Sequence, residues 1–380
     1  MSARAPRVSV VITLYNLRAF VAEAVDSVFA QTLPRGDVEL IVVDDGSTDG
    51  GGAVAQAHGA RVLRQANRGL PAARNAGLAA ARAPFVLFLD ADDRLRPEML
   101  PAVLATIEQG SAETALVYTG VQCIDLRGAA LPQRGWPRVE EYPLARLVLG
   151  NVFPVHAAVV RREAVLAVGG FDETLAAAED WDLWLRLAGA GGRWACVDRA
   201  LVEYRIRPGA MHEDAARMAA SCRRVLDKVF AQPELPAAVR AQRALAYQNL
   251  HLRAAAAYYR AGDDAAGAQE FRAAVAARPA LLTESDALER FCRLLLPLGY
   301  QTGTLMTARW RQLARTLRAA LTAALADPDH AALRWRSEVA YWRVMRPLLA
   351  RRAKAALARG HRRARLLAAH ARLLAFEQAG

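Results

Sequence analysis

Apolar positions in the first two hundred residues alternate between two periods. Val8-Ser9-Val10-Val11-Ile12-Thr13 is a short run rich in β-branched residues, and Leu14-Tyr15-Asn16 follows it as a loop. From Ala19 to Ala30 the apolar residues Phe20, Val21, Ala24, Val25, Val28 and Phe29 fall at helical spacing. A second strand over Val38–Val43, a short helix over Val54–His58, a third strand over Ala60–Leu63 and an Ala-rich helix over Leu70–Ala81 follow. Phe85-Val86-Leu87-Phe88-Leu89 is a continuous apolar run, the pattern of a strand covered on both faces. Strands that alternate with helices at this spacing predict βαβ units and a parallel sheet. Further strands are expected over Ala115–Thr119, Val121–Ile124 and His156–Val160, and a helix from about Ala178 whose Trp181, Trp184, Leu185 and Ala188 form one apolar face.

Loops after parallel strands share one edge of the sheet, where α/β folds bind ligands. Three such loops are expected here: 14–16, the Asp44-Asp45-Gly46-Ser47-Thr48-Asp49 turn, and Asp90-Ala91-Asp92-Asp93. Three carboxylates within four residues repel one another, and a divalent cation that takes carboxylate and phosphate oxygens together would relieve this. The alternative is a solvated loop in which Asp92 or Asp93 caps a helix starting near Pro97. For the second turn the alternatives are a carboxylate that accepts a pyrimidine N–H and ordinary Asp-Gly turn chemistry. Arg68 and Arg74 lie near the same edge, either as partners for a diphosphate or as exposed arginines. Glu179 and Asp180 sit in the first turn of their helix, where the helix dipole favours ionised carboxylates. As a general base Asp180 would need burial to offset that dipole.

In order and spacing, the stretches Val8–Asn16, Asp44–Asp49, Asn67-Arg68-Gly69, Asp90–Asp93, Gly169-Gly170-Phe171-Asp172-Glu173 and Glu179-Asp180-Trp181 resemble the family 2 glycosyltransferases over roughly residues 7–215. The resemblance implies an α/β fold of GT-A type, a Rossmann-like mostly parallel sheet flanked by helices, and inverting transfer from a nucleotide sugar such as a UDP-sugar. It assigns Thr13, Tyr15 and Asp45 to the nucleobase pocket, Asp90 to the ribose, and Asp92 to Mn²⁺ or Mg²⁺. Asp180 matches the base that deprotonates the acceptor hydroxyl. Glu179 and Asp93 are secondary candidates beside these. Relatives often carry a His after the Tyr-Arg pair that follows the base helix. Here Arg207 stands in that place, able to hold diphosphate but not metal, and His212 lies five residues on as a substitute.

From about residue 215 the pattern is almost wholly helical and rich in Ala, Arg and Leu, so a GT-A domain over 1–215 and an all-α region over 216–380 are expected. Near residues 245–279 the spacing allows one helical hairpin or a single tetratricopeptide-like repeat; the usual array needs at least about three repeats. Charge changes the picture only at the end. The net charge is +12, and the last fifty residues hold twelve cationic residues against Glu338 and Glu377, which leaves +2 for the rest. With Trp335 and Trp342, this basic tail over 331–380 suits an anionic membrane surface, and a glycan or lipid-linked acceptor would accord with that. A solvated basic face is the alternative. No recognition motif accompanies the charge, which argues against nucleic acid.

No run of eighteen apolar residues predicts a transmembrane helix, and the start of the chain does not have the pattern of a signal peptide. The four cysteines are scattered, as expected of reduced thiols rather than a disulfide frame or a zinc site. These features point to the cytoplasm, with peripheral contact at the inner face of the membrane. Two rival functions fit the chain less well. A sugar nucleotidyltransferase would usually show a Gly-rich loop after the first strand, and Thr13-Leu14-Tyr15-Asn16 has none. A non-catalytic scaffold would be favoured by loss of Asp92 or Asp180, and both are present.

Overall fold

The computed structural model describes residues 5–111, 113–132, 143–301 and 303–358. The strands are β1 (Val8–Leu14), β2 (Val38–Asp44), β3 (Arg61–Arg64), β4 (Phe85–Asp90), β5 (Arg94–Leu95), β6 (Thr114–Ile124), β7 (Ala158–Arg161) and β8 (Arg193–Arg205). They form one mixed sheet in the order β3-β2-β1-β4-β7-β6-β8-β5. The first four are parallel, as the alternation predicts. β7 is antiparallel to both β4 and β6, β8 is parallel to β6, and β5 is antiparallel to β8.

The helices of this part are α1 (Arg18–Phe29), α2 (Gly51–Ala57), α3 (Leu70–Ala80), α4 (Met99–Gln109), α5 (Pro143–Leu147), α6 (Arg162–Ala167) and α7 (Glu179–Gly189). The two strand segments expected on either side of Gly120 are one strand, β6. Its ladder with β8 shifts register at Gly120, where a Cβ would sit 3.1 Å from the Arg199 carbonyl oxygen. His156 lies not in β7 but in a single 3-10 turn (Val155–Ala157) before it. The helix expected near Pro97 begins at Met99, and neither Asp92 nor Asp93 caps it.

Burial follows the apolar pattern. β1 is buried throughout, and β4 is buried on both faces until Asp90. The apolar face of α7 is buried, and Trp184 joins an aromatic cluster with Phe153, Tyr118 and Trp194. Asp49 links two helix starts: its Oδ2 accepts the Arg18 amide at 2.8 Å, and its Oδ1 accepts the Gly51 amide at 2.8 Å. The Asp of the second turn thus caps α1 from a distance as well as α2 locally.

The chain separates into two compact units. The first holds the sheet with α1–α7 and takes in Ala220–Arg243; the second takes in Met211–Ala219 and the chain from Ala244. Helix α8 (Ala215–Phe230) starts at the expected boundary, but its later turns belong to the first unit, where Lys228 holds Asp172 and Asp182 at 2.6 Å each. Helix α9 (Ala237–Arg240) completes that unit.

The second unit contains α10 (Arg243–Ala261), α11 (Asp264–Ala277), α12 (Ser285–Leu294), α13 (Gly303–Ala308), α14 (Trp310–Leu325) and α15 (Arg334–Ala358). α10 and α11 follow one another across a short turn. Gly262 at φ +85° makes the turn, and the Asp263 side chain caps α11 by accepting the Ala266 amide at 2.9 Å. A Cβ on Gly267 would stand 2.9 Å from the Tyr259 ring, so glycine lets the two helices approach. Phe271, Phe291, Leu288 and Leu317 lie at the centre of this unit's core. Among the described residues no helix is long and apolar enough to cross a membrane.

Gly77 is the tightest point between α3 and the sheet: a Cβ there would meet Val11 Cγ1 at 2.1 Å. Alanine in a helix interior gains about 1 kcal/mol over glycine, but forcing a methyl into a filled core costs about 1–3 kcal/mol. Because Val11 is wholly buried and has no room to yield, Gly77→Ala is expected to lower the urea midpoint of unfolding. An unchanged or higher midpoint would show that α3 can lift from β1.

Candidate active site

Strand register gathers the three predicted loops on one edge. β1 places Leu14 beside Asp44 of β2 and Thr13 beside Asp90 of β4. Thr13 Oγ1 lies 3.4 Å from Asp90 Oδ1. The first two loops are tied together: Ser47 Oγ accepts the Asn16 amide at 3.1 Å, and Asn16 Oδ1 accepts the Thr48 amide at 2.9 Å. Asn16 adopts φ +51°, and Tyr15 beside it is half exposed at the mouth of this edge.

Asp45 is buried and holds the loop before α3. Its Oδ1 accepts Gln65 Nε2 at 2.8 Å and the Arg68 amide at 2.9 Å, and its Oδ2 accepts the Gly69 amide at 2.9 Å. A carboxylate has about four acceptor positions, so three are taken and one on Oδ2 is left for a donor from a ligand. Asp44, also buried, takes the Ser47 amide at 2.9 Å and closes the Asp-Gly turn. The turn chemistry is thus carried by Asp44, while Asp45 fastens the loop before α3. Arg68 is exposed and pairs with Glu173 at 2.9 Å.

Arg74 is not the exposed helix arginine that one reading allowed. It is 2% exposed, with Nη2 on Asp90 Oδ1 at 2.7 Å and Nη1 on Glu179 Oε1. One guanidinium thus joins the acid at the end of β4 to the acid at the start of α7. Burial opposes the charge on Arg74, but Asp90, Glu179 and Asp180 outweigh burial and hold it protonated. Burial likewise works against the Asp90 carboxylate, but Arg74 and then His156 hold its pKa well below the usual range.

The sequence left three adjacent acids in need of a counter-charge, and the protein supplies a separate partner to each. Asp90 has Arg74. Asp92 Oδ2 accepts Arg207 Nε at 2.5 Å. Asp93, fully buried, accepts the Arg205 amide at 2.7 Å and lies 3.0 Å from His156 Nδ1. Burial, reinforced by Asp92 and Asp90, pushes the Asp93 carboxyl well above its ordinary range. Arg205 is itself buried and fixes the loop through the Asp92 carbonyl at 2.8 Å, the Asp125 and Leu126 carbonyls, and Glu23. Arg207, in the place of the expected histidine, sits on Asp92. His212 falls in a short turn (Met211–Glu213) of the second unit. A long loop over 125–141 reads in the sequence as a place for acceptor contacts, and 133–141 of it lie outside the described residues.

A metal fits a different trio from the one expected. Asp90, Asp93 and His156 bring ligand atoms within 4.8 Å of one another. Asp93 Oδ2 and both His156 ring nitrogens are buried with no hydrogen-bond partner. Two carboxylates and an imidazole are a donor set that suits Mn²⁺. Asp90, Asp93 and His156 would hold the ion, with Asp92 alongside, and it would neutralise negative charge on a phosphate oxygen. His156 carried one signal in sequence, a single imidazole inside the apolar run from Val152 to Val160.

Asp180 has both oxygens engaged. Asn151 Nδ2 donates to Oδ2 at 2.9 Å, and the Trp181 amide donates to Oδ1 at 2.7 Å. Burial first, and the neighbouring Glu179 next, push its carboxyl up to about 7 against the pull of Arg74. Burial thus acts on this carboxyl in the direction a general base would need. Ala178 just before this helix adopts φ +59°, and it and Asn16 are the only non-glycine residues with positive φ among those described. Such backbone strain concentrates at functional sites. The Gly169-Gly170-Phe171 turn is held by Asn75, whose Oδ1 accepts the Phe171 amide at 2.8 Å and whose Nδ2 donates to the Phe171 carbonyl at 2.9 Å. Phe171 then packs edge-on against Phe88 of β4.

A mixed open sheet with an acidic edge and a raised carboxyl beside it is the architecture of a sugar-transferring α/β enzyme. Known proteins agree. The profile described as Glycosyl transferase family 2 matches residues 9–168. The uncharacterised glycosyltransferase alr2836 of Nostoc sp. is 31% identical over 228 residues, 55% of this chain and 68% of that protein. EpsJ of Bacillus subtilis, an uncharacterised glycosyltransferase, is 31% identical over 55% of this chain and 63% of its own length. The succinoglycan biosynthesis protein ExoO of Rhizobium meliloti is 33% identical over the same two shares. The chain therefore spans less than two thirds of the length of EpsJ and of ExoO. Among solved structures, residues 1–349 of S. aureus TarS superimpose with a TM-score of 0.53 at 19% identity, covering 84% of this chain and 89% of that one. The mannosyltransferase PcManGT of Pyrobaculum calidifontis, solved with GDP-Man and Mn²⁺, gives 0.52 at 21% identity over 86% and 88%. The chain belongs to the family 2 glycosyltransferases and has the GT-A fold, followed by a helical C-terminal region.

Removing one partner of a buried ion pair costs about 3–5 kcal/mol, since the other charge stays buried. Arg74→Met strands both Asp90 and Glu179 and is expected to lower stability by about that amount, read from the urea midpoint. A loss below about 1 kcal/mol, the range of exposed pairs, would show that water reaches both acids.

Proposed function

We propose that this protein transfers a hexosyl group, with inversion, from a nucleoside-diphosphate sugar to a hydroxyl of a glycan or lipid-linked acceptor in polysaccharide synthesis. A UDP-sugar is the donor this reading favours. Asp45 keeps one acceptor position for the N–H of a pyrimidine, between Thr13 and the half-exposed Tyr15. Asp90 serves the ribose, and Arg68 and Arg207 lie within the same unit as cations for the diphosphate. Asp92 would share the divalent ion, Mn²⁺ or Mg²⁺, with the Asp90, Asp93 and His156 trio, and Glu179 holds the base helix to Arg74.

The observation that carries the reading is Asp180: a half-buried carboxyl raised to about 7, joined through Glu179 and one guanidinium to the acid at the end of β4. A carboxylate with a pKa near neutrality is suited to take a proton from a hydroxyl at physiological pH. The acceptor O–H bond breaks and its proton passes to Asp180. The oxygen bonds to the anomeric carbon from the face opposite the leaving group. The bond from that carbon to the diphosphate oxygen breaks, and its electron pair leaves with the diphosphate.

Asp180→Asn is expected to lower transfer by about 10²–10⁴-fold while leaving donor binding intact. Calorimetric titration of UDP-, GDP- and dTDP-sugars, with Mn²⁺ and then EDTA, measures that binding and identifies the base. Transfer by the unsubstituted protein should fall off with acid around pH 7, since the base must be ionised; an ordinary aspartate would set this limb near 4. Full turnover in Asp180→Asn, or a limb near 4, would remove Asp180 as the base.

The helical unit supports a second part of the reading, peripheral contact with the anionic cytoplasmic face of a membrane. Trp335 is 74% exposed, and Arg336, Arg343 and Arg351 are exposed along α15. Each arginine near such a surface contributes about 1 kcal/mol. Flotation with phosphatidylserine vesicles at low salt should retain the protein, and replacing the three arginines by glutamate should release it. Failure of the unsubstituted protein to float would overturn the membrane contact.

A further inference from the structure

We propose that Asn151 is a positioning residue for Asp180, one that partners this carboxyl group in both of its protonation states. The inference rests on the reading of Asp180 as the base. Asn151 lies in the irregular segment between α5 and the turn that carries His156. Two bonds lock this segment to the start of α7. Trp181 Nε1 donates to the Leu147 carbonyl at 2.7 Å, and Asn151 Nδ2 donates to Asp180 Oδ2 at 2.9 Å. Two residues on, Phe153 packs on Trp184 of the same helix with ring centroids 5.4 Å apart. The amide is thus fixed to the base from three directions.

Before transfer Asp180 must be an anion, and an anion needs donors. It has one on each oxygen, Asn151 Nδ2 and the Trp181 amide. The charged groups that face it among the described residues are Glu179 on its own helix, which disfavours the anion, and Arg74 from α3, which favours it. Glu179 is anchored by that same guanidinium. Asn151 is therefore the side-chain donor that tips the balance locally. After transfer Asp180 carries a proton and needs an acceptor. Asn151 Oδ1 is buried and makes no hydrogen bond. A half-turn of the amide presents that oxygen to the new acid. A lysine at this place would only donate and so serve only part of this cycle, and an aspartate would add a second negative charge to the site.

The test uses the full chain and no ligand. Protein carrying ¹³C-labelled aspartate carboxyls is titrated by NMR, and the signal absent from Asp180→Asn is that of Asp180. Loss of a hydrogen bond to the charged form should raise its midpoint by about one pH unit in Asn151→Ala. Asn151→Gln, if its longer amide reaches, should restore the midpoint, and Asn151→Leu should raise it as alanine does. The acid limb of transfer should move upward with the midpoint, while activity well above both midpoints recovers. An unmoved midpoint in folded Asn151→Ala and Asn151→Leu would overturn the proposal. Wild-type transfer by Asp180→Asn would instead overturn the assignment of the base and leave the titration result standing.

Discussion

The site depends on one buried guanidinium. Arg74 lies between Asp90, which ends the central strand, and Glu179, which begins the base helix, and these two acids are otherwise held by different parts of the sheet. Arginine suits this place because it does not deprotonate on burial and because its planar fork serves two carboxylates at once. A lysine would offer one point of charge and a pKa that burial could pull down. Burial first and Glu179 next raise the carboxyl of the adjacent Asp180, and Arg74 pulls against them. The same ion cluster thus joins the two ends of the site and adds to the balance that sets the proton affinity of Asp180.

A similar allocation operates along the acidic loop. Asp90, Asp92 and Asp93 each have a partner from a different element: α3, the chain after β8, and the turn before β7. The loop is therefore ordered before any cation arrives. A metal at the Asp90, Asp93 and His156 trio would complete unpartnered atoms rather than rescue an unstable cluster. Arg205 adds a mechanical tie. Its buried side chain touches the carbonyls at Asp92, Asp125 and Leu126, so the acidic loop and the turn after β6 are held as one piece.

The recurring sequence stretches of the first two hundred residues also act as fasteners. Asn75, one residue beyond Arg74, holds the turn at Phe171, and Phe171 packs against Phe88 just inside the acidic loop. Asp45 fastens the loop before α3 through backbone amides. The first turn is thus fastened to a helix and to the core of the sheet, and the second loop to the aspartate that follows β2. Rigid elements below and cross-linked loops above are what a site with demanding geometry needs.

Much of this could be read from the chain alone. The change from twofold to helical period set the element order, and acids placed directly after apolar strands marked the edge where they would meet. The place of Asp180 in the first turn of an aromatic-faced helix was legible, since helical period and apolar spacing fix it. Pairing was not legible. Arg74 and Glu179 lie 105 residues apart, and Arg207 and Asp92 lie 115 apart. Residue type and spacing said only that cations and acids shared an edge. His156 and Asn151 were missed for the same reason: their importance comes from burial against partners brought from elsewhere. Local periodicity is a property of the backbone and survives in any context, so the sequence by itself determined strands, helices and the direction of the sheet. The partner and the proton affinity of each buried charge depend on distances of a few ångströms between remote segments, and only the tertiary structure decided them.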